Sequence, residues 1–420
     1  MRSGLYRWLY SLLLYLYIPL EILRLRKRAK KAPDYNKRWN ERFATKLPDV
    51  RPGCIWFHTV SVGETLAAIP VIKSILALNP DRDILVTTMT PTGSERVRAL
   101  LGEQVVHCYA PYDLPHTTAK FINAVRPSKL FIMETELWPN MLHWARKTNA
   151  SIVLMNARMS EKSAKGYRRF AQLTKAMLAD IDIIAVQNKT DSDRFKSLGA
   201  SDQQLKITGN IKFDQPIPDD LESRLNELKN NFQAPYIWLA ASTHIGEDEI
   251  LIAAHQRLVE EIPTALLIIV PRHPERFNEV YELCSSSGLS VARRSNNEPA
   301  SGSLYLADTM GELLLFCALA DAVFVGGSLV NHGGHNCLEP AAFKKPIMSG
   351  VYDFNFAEIN QQLESENALQ RVNDSAEISS QLLQWYRQSE LADQVGENAY
   401  QVVENNRGAM SKLIGLLEAL

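Results

Sequence analysis

Residues 54–89, CIWFHTVSVGETLAAIPVIKSILALNPDRDILVTTM, decide the fold. CIWFHTV (54–60) and DILVTTM (83–89) are apolar runs of strand length, and TLAAIPVIKSILAL (65–78) between them reads as a helix. Strands apolar on both faces and joined through a helix belong to a parallel sheet covered on both sides. The alternation continues through QVVHCY (104–109), KLFIME (129–134), SIVLMN (151–156) and IDIIAV (181–186), with helical stretches such as SERVRALLG between most of them. One doubly wound α/β domain is therefore expected over residues 33–212. FDQPIPDDLESRL (213–225), rich in Pro and Asp, reads as a linker. A second series then begins: YIWLAAS (236–242), ALLIIVP (265–271), GLSVA (288–292), SLYLA (303–307), AVFVGG (322–327) and KPIMSG (345–350). The second α/β domain is expected over 226–420, closed by late helices, the last with the option of packing back across the linker. Two such domains with facing parallel sheets leave a cleft at the carboxyl ends of their strands, where open α/β sheets bind ligands.

The bulk properties agree with two ordinary cores. A chain of 420 residues exceeds one typical core, and 46% hydrophobic with 22% charged residues is a globular composition. A formal net charge of -1 gives no basic field for nucleic acid. The five cysteines are scattered without a close pair, which favours a reduced compartment and buried thiols.

The N-terminus stands apart. LYRWLYSLLLYLYIPLEILRLRKRAKKAPDYNKRW passes from an aromatic and leucine-rich stretch into a cluster of Arg and Lys. Its apolar part, residues 8–23, is just short of the ~20 residues that span a bilayer comfortably. No small-residue cleavage site comes after it, which argues against a removable signal peptide. Arg24, Arg26, Lys27, Arg28, Lys30 and Lys31 place the downstream domain on the cytoplasmic side and can hold anionic headgroups. Residues 1–32 are expected as a membrane anchor, spanning or interfacial, with a basic collar. An amphipathic helix packed on the protein or a partner is the alternative.

Chemistry-bearing residues collect where strands hand over to helices. Ser61 and Glu64 have the S-x-x-E spacing of a capping box, and Thr92 and Glu95 repeat it. Glu64 also follows the first strand beside Gly63, and a helix N-terminus keeps a general base ionised. METELWPN (133–140) ends the fourth strand with Glu134 and Glu136, either of which could instead favour the coming helix. TGNIKFD (208–214) brings Lys212 toward the expected cleft. AASTHIGEDE (240–249) offers Ser242, Thr243 and His244 at a turn whose backbone N–H groups suit an anion, and VPRHPERF (270–277) adds Arg272 and His273. DTMGELLLFCALAD (308–321) starts a helix at Gly311 and Glu312. FVGGSLVNHGGHNCLEPAAF (324–343) is the densest signal, with paired glycines for close ligand approach and Asn336 and Glu339 opening a helix. It is neither a P-loop nor a dinucleotide fingerprint. His332 and His335 lack a third metal ligand at suitable spacing.

Taken in order, the anchor, SVGE, METELWPN, GNIKFD, AASTH, PRHPERF, MGE and GGHNCLEPA resemble the Kdo (3-deoxy-D-manno-octulosonic acid) transferases of lipopolysaccharide synthesis. The resemblance spans the whole chain. It implies a GT-B fold and an inner-membrane enzyme facing the cytoplasm. Such an enzyme moves Kdo from CMP-Kdo to a lipid A precursor, lipid IVA, with inversion and with neither metal nor cofactor. By the same resemblance Glu64 is the proton acceptor, while Glu134 and Lys212 stabilise the transition state. CMP contacts fall on Pro271, Arg272, Met310, Gly311, Glu312, Asn336, Cys337, Leu338 and Glu339. Ser242, Thr243, His244 and His273 remain candidate donor-anion contacts. The rival readings are another membrane-associated GT-B glycosyltransferase using a UDP-sugar, a sugar-nucleotide epimerase, and a tethered two-lobed binding protein.

Overall fold

The structure is a computed structural model that describes residues 2–30, 32–214 and 217–420, without the side chains of Arg2 and Ser3. Lys31 of the expected collar and Gln215 and Pro216 of the expected linker lie outside the described residues. Two compact units form, one of Met1–Asp214 with Arg407–Leu420 and the other of Gln215–Asn406.

In the first unit the strands are β1 (Ile55–His58), β2 (Ile84–Thr88), β3 (Val106–Tyr109), β4 (Lys129–Met133), β5 (Ser151–Ala157), β6 (Ile183–Val186) and β7 (Leu205–Ile207). They form one sheet in the order β3-β2-β1-β4-β5-β6-β7, every pair parallel. Side chains of β1 are buried on both faces, which is why the sequence shows an unbroken apolar run rather than an alternation. Trp56 and Leu130 join one core, and Phe57 and Phe131 join the core on the other face.

The second unit repeats the plan with β8 (Tyr236–Thr243), β9 (Ala265–Pro271), β10 (Val291–Arg293), β11 (Leu304–Leu306), β12 (Ala322–Val325), β13 (Ile347–Ser349) and β14 (Leu369–Arg371). Their order is β10-β11-β9-β8-β12-β13-β14, again all parallel.

The domain boundaries differ from the sequence reading in three places. Residues 1–32, expected as a separate anchor, belong to the first unit. The last helix, Ala409–Glu418, counted with the second domain (226–420), belongs to the first unit. Its buried Ala409, Leu413 and Leu417 pack with Ile72, Ile75 and Phe131, and Asp214 accepts the N–H of Gly408 (2.7 Å) and Met410 (2.5 Å) at its start. Apolar area on the first sheet and a carboxylate at the helix N-terminus outweigh sequence proximity. The stretch 213–225 also includes the first turns of the helix Leu221–Lys229, whose Leu221 and Leu228 are buried. Likewise Thr92 and Glu95 form no capping box. Pro91 starts the helix Pro91–Leu101, and Thr90 caps it by accepting the Gly93 N–H.

Candidate active site

In the first sheet the chain runs outward from β1 to β2 and β3, then returns to place β4 on β1's other side. The loops after β1 and β4 therefore diverge, and a crevice opens at the carboxyl ends of those strands. Glu64 follows β1 and Glu134 follows β4.

Glu64 is both cap and carboxylate. Ser61 caps the helix Val62–Leu78, its Oγ accepting the Glu64 N–H, while Glu64 reaches back to the Ser61 N–H, a complete capping box. Glu64 Oε2 also accepts the Val60 N–H at 2.8 Å, and Oε1 accepts the Ser61 hydroxyl at 2.7 Å. The expectation that the helix start keeps this group ionised is reversed in sign. Burial, reinforced by the charge of Glu136, pushes Glu64 up to about 7 despite these donors. Desolvation of a carboxylate only 8% exposed outweighs them. A carboxyl poised there suits a general base at neutral pH.

Glu134 is held in the left-handed backbone region (φ 53°), an uncommon state for a non-glycine residue. Lys212 Nζ lies 3.1 Å from its Oε1 and Arg158 Nε 2.9 Å from its Oε2. Lys212 thus forms an ion pair within its own unit. Asn156, at the end of β5, accepts the Ile211 N–H at 3.1 Å and so fixes the turn that carries Lys212. Glu136 accepts the indole N–H of Trp138 at 2.9 Å, and that ring stands edge-on to His58 with centroids 4.5 Å apart. Burial raises Glu136 as well, against the pull of that hydrogen bond.

In the second sheet the reversal falls between β8 and β12, and the residues at that point differ in kind. β8 bulges at Ser242 (φ 58°), just before the turn that follows it, and that turn was the expected anion site. Its anion-binding potential is filled from within. Glu247, which the sequence reading did not single out, accepts the N–H groups of His244 (2.9 Å), Gly327 (2.7 Å), Ser328 (3.0 Å) and Leu329 (3.0 Å). Thr243 is engaged too: its hydroxyl donates to buried Asp248 at 2.5 Å, and its carbonyl accepts from Arg276. Ser242 and Thr243 are therefore parts of the scaffold in this conformation.

Imidazoles gather over that scaffold. His244 Nε2 and His335 Nε2 lie 2.8 Å apart, and His332 stacks on His244 with centroids 4.3 Å apart. His273 meets His244 edge-on at 5.3 Å. A Cβ on Gly327 would stand 3.1 Å from the His335 ring, so glycine at φ 71° admits the imidazole. Burial, then neighbouring cationic groups, lowers His244 to about 4 and His335 to about 3. Arg272 is exposed, holds its N–H on the Thr243 carbonyl, and makes no ion pair among the described residues. Glu339 is pushed up to about 7 by burial, with Arg272 and Asn336 opposing.

The remaining sequence candidates are placed unevenly. Met310 is 61% exposed and Gly311 has φ 82°, so both are open to a ligand. Glu312 is clamped by Arg294 at 2.9 and 3.1 Å and by the Thr309 hydroxyl, and the helix begins one residue later, at Leu313. Cys337 and Leu338 have no exposed surface, and Pro271 is buried at the end of β9. Sequence reading also passed over Arg158, although its place just beyond β5, beside β4, was a usable signal. Nothing local marks Glu247, since three of its four donors come from residues 327–329.

Residues 37–215 match the family model described as 3-deoxy-D-manno-octulosonic-acid transferase (kdotransferase). A 3-deoxy-D-manno-octulosonic acid transferase of Haemophilus influenzae is 40% identical, the alignment covering 99% of this chain and 98% of the relative. Its counterpart in Bordetella pertussis is 30% identical over 90% of each chain. The UDP-GlcNAc 2-epimerase of Neisseria meningitidis, solved with UDP-GlcNAc, matches with a TM-score of 0.57 at 12% identity, over 87% of this chain and 100% of that one. That likeness establishes the fold. The architecture is thus of the GT-B type, two parallel-sheet units of nucleotide-binding plan, and the enzyme is a glycosyltransferase. The chain belongs to the 3-deoxy-D-manno-octulosonic acid (Kdo) transferase family.

Proposed function

We infer that the protein transfers Kdo from CMP-Kdo to a hydroxyl of the lipid A precursor lipid IVA, with inversion and without a metal, at the cytoplasmic face of the inner membrane. The observation that carries this reading is Glu64, a buried carboxyl near neutrality at the switch point of the first sheet. The acceptor hydroxyl attacks the anomeric carbon of Kdo, and its proton passes to Glu64. The bond from that carbon to the phosphate oxygen breaks, and CMP leaves with the electron pair. Arg272 is suited to the charge developing on the departing phosphate, because its forked donors bind two oxygens. Glu134, held between Lys212 and Arg158, fixes two cations in the first unit. The cations are suited to the donor's carboxylate, and the Glu134 carboxylate between them to the positive charge of the oxocarbenium-like transition state. Among the other CMP candidates Met310 and Gly311 are exposed, and Asn336 and Glu339 are half-buried.

Mass spectrometry of products from purified lipid IVA, with CMP-Kdo or a UDP-sugar as donor, tests the reading. A mass gain of Kdo with release of CMP is expected. Release of UDP with lipid acceptor, and none of CMP, would overturn it in favour of a UDP-sugar glycosyltransferase.

A further inference from the structure

The N-terminal helix Arg2–Ala29 is long and apolar enough to cross a membrane by length and composition, yet its contacts run sideways. Arg7, Ser11, Leu14, Ile18, Ile22 and Leu25 recur at three- and four-residue spacing, so they share one face, and each is partly or wholly buried. Ile18 and Leu25 pack with Tyr112 and Leu114 of the first unit, and Leu14 and Ile22 lie on the same cluster. Polar contacts fix the other end. Arg7 Nη1 donates to Asn140 Oδ1 at 3.1 Å, and Asn140 Nδ2 donates to Ser11 Oγ at 3.0 Å. Asn140 is itself held by buried Asp113, which accepts its N–H at 3.0 Å and that of Met141 at 2.7 Å. At 1.5 Å per residue the docked stripe runs about 27 Å along the unit.

The opposite face is apolar and open. Leu5, Trp8, Leu13, Leu16, Leu20 and Leu23 are 57 to 68% exposed. Arg24, Arg26, Lys27, Arg28 and Lys30 continue from it, all exposed. A spanning helix needs ~20 residues clear of any water-soluble domain. Here the same residues that would span are shared with the first unit along nearly their whole length.

We propose that this helix does not cross the bilayer but lies flat in one leaflet. Its leucine face is immersed at the headgroup–acyl boundary, and its basic end rests on anionic lipid. This rests on the reading of the protein as a transferase acting at a membrane surface, and deepens it. The helix becomes the bilayer-facing side of the first unit rather than a tether to it.

All five native cysteines are buried, so single cysteines at Leu5, Leu13 and Leu20 of the full-length protein can carry an environment-sensitive fluorophore. The probe membrane is vesicles of equimolar phosphatidylethanolamine and phosphatidylglycerol bearing quenchers at known depth. Equal, shallow quenching at all three positions is expected. A maximum at Leu13 with shallow ends means a spanning helix and overturns the proposal. Lys27→Gln with Arg28→Gln should weaken vesicle binding about fivefold per charge removed, and unchanged binding overturns the anionic-lipid assignment. Kdo transfer to detergent-dispersed lipid IVA is measured in parallel, so failure of the activity reading is seen separately from failure of the flat orientation.

Discussion

The two units share a plan, seven parallel strands with a reversal of strand order beside the first strand, and differ in what they place at that reversal. The first collects carboxyls: Glu64 and Glu136 are raised chiefly by burial, with Glu134 neutralised by Lys212 and Arg158. The second collects imidazoles, His244 and His335 among them lowered by burial, an exposed guanidinium, and an anion site that its own Glu247 fills. One plan thus holds carboxyls at one reversal and imidazoles with a guanidinium at the other, which the proposed function uses as a proton acceptor and as receptors for negative charge. The sheet fixes where chemistry can occur, and the residues just past each strand fix which chemistry.

That contrast can be broken most severely at Glu64. Glu64→Gln keeps a side chain able to complete the capping box but removes the base. Loss of a general base costs roughly 10²–10⁴-fold in rate, so kcat should fall by that factor while the thermal midpoint stays in place. A kcat within threefold of the parent would return Glu64 to a purely structural role.

Glu247→Ala is expected to act on stability instead. Each buried N–H left without a partner costs about 1–3 kcal/mol, and four donors lose theirs, so urea unfolding should show a loss of about 4 kcal/mol or more. A near-neutral result would mean that the loop of residues 326–329 does not depend on the internal carboxylate.

Arg272→Ala should be milder. A hydrogen bond to a charged group contributes about 1.5–3 kcal/mol, which predicts a KM for CMP-Kdo raised by one to two orders of magnitude. A change confined to the lipid KM would move Arg272 out of donor binding.

The pH profile gives the finest distinction. A base must be ionised, so kcat/KM should rise with pH through about 7, roughly tenfold per unit below that value. His335, lowered to about 3, stays neutral over that range. His335→Asn should therefore leave the limb where it is, whereas a displaced limb would assign it to the imidazoles.

Most of the architecture was legible because central strands such as β1 and β8 are buried on both faces and announce themselves as apolar runs. The edge strands β7 and β14 escaped for the converse reason. Leu205–Ile207 and Leu369–Arg371 are three residues long and partly exposed, so no run marks them. Site residues were legible where one strand end carries them, as with Glu64 and Glu134. Those held by distant segments were not: Arg158 meets Glu134 across 24 positions, and Glu247 meets Ser328 across 81. Depressed and raised acidities were hidden too, since burial is a property of the assembled unit. The helix-start argument therefore gave the wrong sign for Glu64.

The return of residues 407–420 to the first sheet carries a consequence for biosynthesis. Leu413 and Leu417 complete a core whose other members, such as Ile55 and Phe131, leave the ribosome far earlier in translation. The first unit must wait, with that patch uncovered, until translation of the second has ended. A nonsense codon just ahead of residue 407 would therefore injure the unit whose sheet was translated first.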